Sequence, residues 1–231
     1  MRAAEAVWPV GRVTIQPAVK AIAPLRVYGR ENVPLNGGLV LALNHFSWID
    51  PPAFGAASPR TIYYMAKVEL HRVPWLGQLI RSFGAYSVRR GESDREAVRF
   101  SRELVADGRA VGLFVEGTRQ KSGVPGEPKP GASMIALQER VPVVPAAIHG
   151  SQFWQFGNFH PVSIAWGEPL DFSGLPANGK GYREASQEIG RAIRTLWDFL
   201  VDMHELGRPK DATPPAMSPR QMAKDDGARD R

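Results

Sequence analysis

Two short stretches of this 231-residue chain carry residue types that can do chemistry. In Asn44-His45-Phe46-Ser47-Trp48-Ile49-Asp50 an imidazole and a carboxylate are separated by four residues, and Pro51-Pro52 follows at once. A turn of that length can fold the carboxylate back onto the ring. A carboxylate on Nδ1–H fixes the tautomer, leaves Nε2 free to take a proton from a hydroxyl, and stabilises the imidazolium that forms. The same spacing also suits a plainer arrangement, with Asp50 as the N-cap of a helix, Pro51 at its first position and His45 incidental. The second stretch is Phe114-Val115-Glu116-Gly117-Thr118-Arg119. Glycine allows close backbone approach, and a threonine hydroxyl and an arginine fork can both donate to a phosphate. A polar turn with a surface ion pair is the alternative.

Both stretches leave apolar runs, GLVLAL ending at Leu43 and AVGLFV ending at Val115. Such continuous runs predict strands buried on both faces. Further strands are expected over 25–28, 61–65, 86–88, 143–148 and 162–166, and helices over 74–83, 93–106, 132–139 and 184–204. The second of these helices is punctuated by a Ser93/Glu96 capping box and an Asp107-Gly108 stop. This alternation predicts an α/β fold with a mostly parallel central sheet covered by helices on both faces. Such sheets place sites beyond the carboxyl ends of their strands, where both stretches lie. Lys67 and Arg89-Arg90 also follow predicted strands, either adding to an anion site there or standing as exposed charges. Backbone N–H groups from Asp50 to Ala53 are the expected oxyanion donors.

Composition narrows the function. With 43% apolar and 23% charged residues, disordered, collagen-like and coiled-coil chains are excluded. The absence of cysteine removes disulfides, thiolate metal sites and a cysteinyl acyl-enzyme. A net charge of +6 favours an anionic partner. Residues 60–102 hold nine basic against four acidic side chains, so that region is either a phosphate-binding edge or a solvated basic surface. No stretch offers the roughly 20 apolar residues of a membrane span. Residues 1–24 read as a retained amphipathic helical segment, lying on a membrane surface or packed on the domain's own core. Residues 25–206 form the α/β domain, and 207–231, rich in proline and charge, are expected to be a disordered tail. The aromatic loop 153–159 either covers the core or anchors the protein at an interface.

NHFSWID, GAYSVRR, FVEGTR and VPVVP, in this order, resemble the four sequence blocks of the glycerolipid acyltransferases typified by 1-acylglycerol-3-phosphate acyltransferase. The flanking phrases VYGRENVP, YYMAKVEL and KPGAS are also similar to family text. The resemblance implies acyl transfer from an acyl-CoA or acyl carrier protein thioester to 1-acylglycerol 3-phosphate, giving phosphatidic acid for phospholipid synthesis. It implies a peripheral protein at an anionic membrane surface, on the cytoplasmic face, with no resident cofactor or metal and no nucleic acid partner. By position, His45 would be the general base and Asp50 would orient it. Arg90, assisted by Lys67, would meet the substrate phosphate, and Glu116, Gly117, Thr118 and Arg119 would bind the glycerol-phosphate end. Pro145 would shape the acyl pocket or support the site. Two departures stand out: Val115 replaces the usual proline of the third block, and Arg89 stands where the second often has an acid. Another lysophospholipid, glycerol 3-phosphate or a glycolipid are alternative acceptors. A basic membrane-surface or nucleic-acid-binding protein without catalysis would explain the charge but neither motif.

Overall fold

The computed structural model describes residues 17–67, 86–88 and 94–217, with main chain only at 66, 67, 86–88, 94 and 95. The apolar runs become strands β1 (Leu25–Tyr28), β2 (Leu39–Leu43), β3 (Ile62–Lys67), β4 (Tyr86–Val88), β5 (Ala110–Phe114), β6 (Val143–His149) and β7 (Val162–Trp166). They form one sheet in the order β1-β7-β6-β2-β5-β3-β4. Every described pairing is parallel except β6 with β7. The mostly parallel α/β architecture expected from the alternation is therefore the observed one. Strands β2, β6 and β7 are buried at every position, which is why their sequences are continuous apolar runs rather than alternating ones.

Helices α1 (Asp50–Ala57), α2 (Asp94–Ala106), α3 (Gly131–Glu139) and α4 (Gly179–Glu205) cover the sheet. Leu104 and Val105 of α2, Ile135 of α3, and Ile189, Ile193, Leu196 and Leu200 of α4 share one cluster with Val40, Ala42 and Val111. Phe54 of α1, with Val19 and Ala23 from the helical stretch 17–22 and its end, packs with Leu39, Leu41, Leu43 and Ile148 in the other. Each such large side chain contributes about 1.5–3 kcal/mol by leaving water. Helix α4 begins earlier than its apolar stripe suggests, because Asn178 caps it by accepting from Lys180 N and Gly181 N. The helix expected over 74–83, Ser93 of the capping box and residues 1–16 lie outside the described residues.

Three expectations change. The chain beyond Gly207 does not detach as a tail within its described part. The Arg208 guanidinium donates to Pro24 O (2.6 Å), Val162 O (2.9 Å) and Ser163 Oγ (3.1 Å). Met217 is buried and donates its N–H to Glu168 Oε2 at 3.2 Å. One arginine satisfied by strand-end carbonyls outweighs a composition that looks disordered, and residues 218–231 lie outside the described chain. Nor is the basic stretch 60–102 one phosphate-binding edge. Arg60 donates to Pro34 O, Gly37 O and Gly108 O at the amino end of the sheet, while Arg102 and Arg99 pair with Glu139 and Glu103. The aromatic loop divides between its two readings: Trp154 is buried and donates to Ile22 O at 2.8 Å, whereas Phe153, Phe156 and Phe159 are exposed.

At the end of β6 the buried His149 packs against the half-buried His204 of α4. The rings of His149 and His204 meet edge to face at 4.6 Å, and His204 Nε2 lies 2.8 Å from Ser163 Oγ. Burial, reinforced by neighbouring positive groups, lowers both from 6.5 to about 4. Depressed basic groups stabilise the fold fully above the unfolded value and lose that contribution as pH falls from 6.5 to 4. Thermal unfolding of the wild type should therefore weaken across that window. His204→Gln, which keeps a partner for Ser163 and cannot be protonated there, should flatten the fall in Tm, and an unchanged profile would exclude His204 as its source.

Candidate active site

Strand β2 delivers His45 to the carboxyl edge of the sheet, and Asn44 fixes the exit. Its amide accepts from Ile148 N (2.8 Å) and donates to Ile148 O (3.2 Å), continuing the β2–β6 ladder with a side chain. Beyond it the chain closes a turn around one oxygen. Asp50 Oδ2 accepts from Phe46 N (2.6 Å) and Ser47 N (2.7 Å) and lies 2.8 Å from His45 Nδ1. An oxygen already accepting two N–H bonds pairs with Nδ1 as a third donor, so this network assigns the ring proton to Nδ1. Nε2 has no hydrogen-bond partner among the described residues. Asp50 is fully buried, and the His45 side chain is 18% exposed.

Asp50 is thus no N-cap. It is the first residue of α1, Ile49 holds the cap position, and no side chain caps the helix. The proposed oxyanion donors also fail: Asp50 N bonds Ser47 O, Ala53 N bonds Ile49 O, and Pro51 and Pro52 carry no N–H.

The second motif holds the histidine from the neighbouring strand. Phe114, the last residue of β5, stacks on the His45 ring with centroids 4.1 Å apart. Val115 donates to Leu43 O at 2.9 Å, a ladder bond that a proline could not make, so the valine pins the backbone here. Glu116, only 3% exposed, accepts from His45 N (2.7 Å) through Oε2 and from Gly126 N (3.0 Å) through Oε1. Gln120 N donates to His45 O at 2.8 Å. Both main-chain polar groups of His45 are therefore held by residues 116–120. Burial raises the Glu116 carboxyl from 4.5 to about 7, against the lowering effect of the two main-chain N–H bonds. With each oxygen committed to main chain, Glu116 positions the histidine, whereas the sequence alone suggested a substrate contact.

Gly117 turns the chain at φ 71°, and Thr118 and Arg119 face solvent. Arg119 has no ion-pair partner among the described residues. Lys67 ends β3 at the same sheet edge, opposite Val88 in the register; Arg90 lies outside the described residues. Pro145 pairs with Ala42 inside the sheet and accepts from Gly167 N through its carbonyl, a supporting position within the sheet. Sequence reasoning did not single out the roles of Asn44, Phe114 and Gln120. Their direct adjacency to the two motifs was the available signal.

Fold and site together define an α/β domain that presents a carboxylate-oriented imidazole at a sheet edge. Residues 24–149 match the Acyltransferase family model. The chain is 36% identical over 192 residues to the 1-acyl-sn-glycerol-3-phosphate acyltransferase of Bacillus subtilis, covering 79% of this chain and 95% of that protein. It is 35% identical over 130 residues to the probable 1-acyl-sn-glycerol-3-phosphate acyltransferase of Mycoplasma pneumoniae, covering 52% and 47% of the two chains. The crystal structure of the 1-acyl-sn-glycerophosphate (LPA) acyltransferase PlsC from Thermotoga maritima is similar with a TM-score of 0.67 at 26% identity, covering 85% of this chain and 84% of that one. The chain belongs to the Acyltransferase family.

Replacing Glu116 by Gln keeps one acceptor but turns an NH₂ group toward the other N–H donor, loosening the grip on His45. Steady-state assays should show kcat reduced about 10- to 100-fold, the scale expected from misplacing a reacting group, with KM little changed.

Proposed function

We propose that the chain transfers a fatty acyl group from an acyl-CoA or acyl carrier protein thioester to the free hydroxyl of 1-acylglycerol 3-phosphate, giving phosphatidic acid for phospholipid synthesis. The observation that carries this reading is the Asp50-oriented His45, its Nε2 unpartnered among the described residues and its main chain held by the turn that presents Arg119. The acceptor hydroxyl oxygen attacks the thioester carbonyl as His45 Nε2 takes its proton. Asp50 stabilises the imidazolium. Collapse of the tetrahedral intermediate breaks the carbon–sulfur bond, and the imidazolium returns the proton to the departing sulfur, releasing a free thiol and an ester. No cysteine is present to carry the acyl group between these steps. Thr118 and Arg119 meet the phosphate end, assisted by Lys67, whose strand ends at the same sheet edge, and by Arg90.

The acceptor and product are lipids, so the site works at a bilayer. We place it peripherally, on the cytoplasmic face of an anionic membrane. Among the described residues no helix is long and apolar enough to cross a membrane. Four exposed rings support docking instead: Trp48 (56% exposed) in the catalytic turn, and Phe153 (56%), Phe156 (83%) and Phe159 (55%). Trp48 meets the buried Trp154 at 5.0 Å, which joins the loop to the turn. The segment 151–161 contains no Asp, Glu, Lys or Arg, as suits a surface lying among headgroups.

Labelled acyl-CoA offered with 1-acylglycerol 3-phosphate, other lysophospholipids, glycerol 3-phosphate and a glycolipid, with products identified by mass, decides the acceptor. His45→Ala should lower turnover by about 10²- to 10⁴-fold with an unchanged circular dichroism spectrum; retained turnover would remove His45 as the base. Arg119→Ala should act chiefly on KM for phosphorylated acceptors.

Vesicle flotation addresses the docking surface separately. Changing Phe153, Phe156 and Phe159 together to Ser should release the folded protein from anionic vesicles. Undiminished flotation would show that these rings do not anchor it.

A further inference from the structure

The Gly117 turn carries a second cation that neither motif contains. Lys129 lies at the far end of the loop that leaves Arg119, and its N–H donates to Val115 O at 2.8 Å, so its backbone is anchored beside the residue preceding Glu116. From there the side chain runs across Gly117. A Cβ on Gly117 would stand 3.0 Å from Lys129 Nζ, 3.2 Å from Cδ and 3.3 Å from Cε. The left-handed φ requires the glycine, and its missing side chain leaves the lysine room to lie across the turn. The ammonium thus stands on the turn whose neighbours, Glu116 and Gln120, hold His45 N and His45 O. Lys129 is exposed, and like Arg119 it has no ion-pair partner among the described residues.

We propose that Lys129 is a second phosphate-recognition cation of this site, acting with Arg119 across the Gly117 turn. The inference rests on the acceptor reading above. Two cations on one turn suit a phosphate dianion: the guanidinium offers a planar fork and the ammonium a compact charge, so together they favour a phosphate monoester over a neutral or zwitterionic headgroup. The anchored main chain of Lys129 and the course of its side chain over Gly117 distinguish it from Lys121, the other exposed lysine of the same loop.

Lys129→Ala should raise KM for 1-acylglycerol 3-phosphate about tenfold with kcat nearly unchanged, as expected for loss of a charge-assisted contact present throughout the reaction. Lys129→Arg should restore most of the affinity, and Lys121→Ala should change neither constant. An unchanged KM in Lys129→Ala overturns the proposal. So does an equal loss of kcat in the Ala and Arg variants, which would mark Lys129 as a packing residue of the turn. Calorimetric titration with inorganic phosphate separates the two readings: Lys129→Ala and Arg119→Ala should each weaken binding, even if the wild type prefers a different phosphorylated acceptor. Wild-type phosphate binding that is indifferent to Lys129→Ala defeats this inference and leaves the acceptor reading standing.

Discussion

The site depends on one carboxylate oxygen. Asp50 Oδ2 gathers two main-chain N–H groups and an imidazole nitrogen within 2.8 Å, away from solvent. A buried anion without partners would be expensive, and hydrogen bonds to a charged group are worth about 1.5–3 kcal/mol each. The chain from His45 to Asp50 therefore has little choice of path. The turn that satisfies Oδ2 also sets the imidazole tautomer, and the helix begins at the same residue with two prolines that need no N–H partner.

That turn would still hinge about the end of β2 without a second restraint. Glu116 and Gln120 supply it by occupying both main-chain polar groups of His45, and Phe114 fixes the ring plane. The arrangement opposes stability. With its carboxyl raised to about 7, Glu116 makes a contribution to folding that is lost as pH rises through that value, so the ionised clamp is a net burden at higher pH. Holding an imidazole in position at the expense of stability is typical of sites that need preorganisation. The loop that follows has no regular secondary structure up to α3, yet it is tied at Gly126 N, Lys129 N and, through Arg194, at Pro125 O.

Strand and helix identities were legible along the chain because periodicity and caps act over a few residues. The runs at 39–43, 110–114 and 162–166 and the helix ending before Asp107 follow from local pattern. Predictions from composition fared differently. The chain after Gly207 has the proline and charge of a tail, but a single arginine reaching Pro24 O, 184 residues away, ties it to the sheet. Arg60 looked like part of an anion site and is consumed by three carbonyls at the opposite end of the strands.

The sequence by itself confined His45 and Asp50 to one turn, because only four residues intervene, but left open whether the carboxylate meets the ring or merely begins the helix. It also determined which strand ends carry functional groups. Only the tertiary structure decided what those groups touch. Glu116 is 71 residues from His45 and becomes a main-chain clamp only because β5 lies beside β2. Lys129 lies over Gly117 because its N–H returns to Val115 O. Local spacing constrains neighbours in the chain, while hydrogen bonds between distant segments exist only once the sheet order has been set.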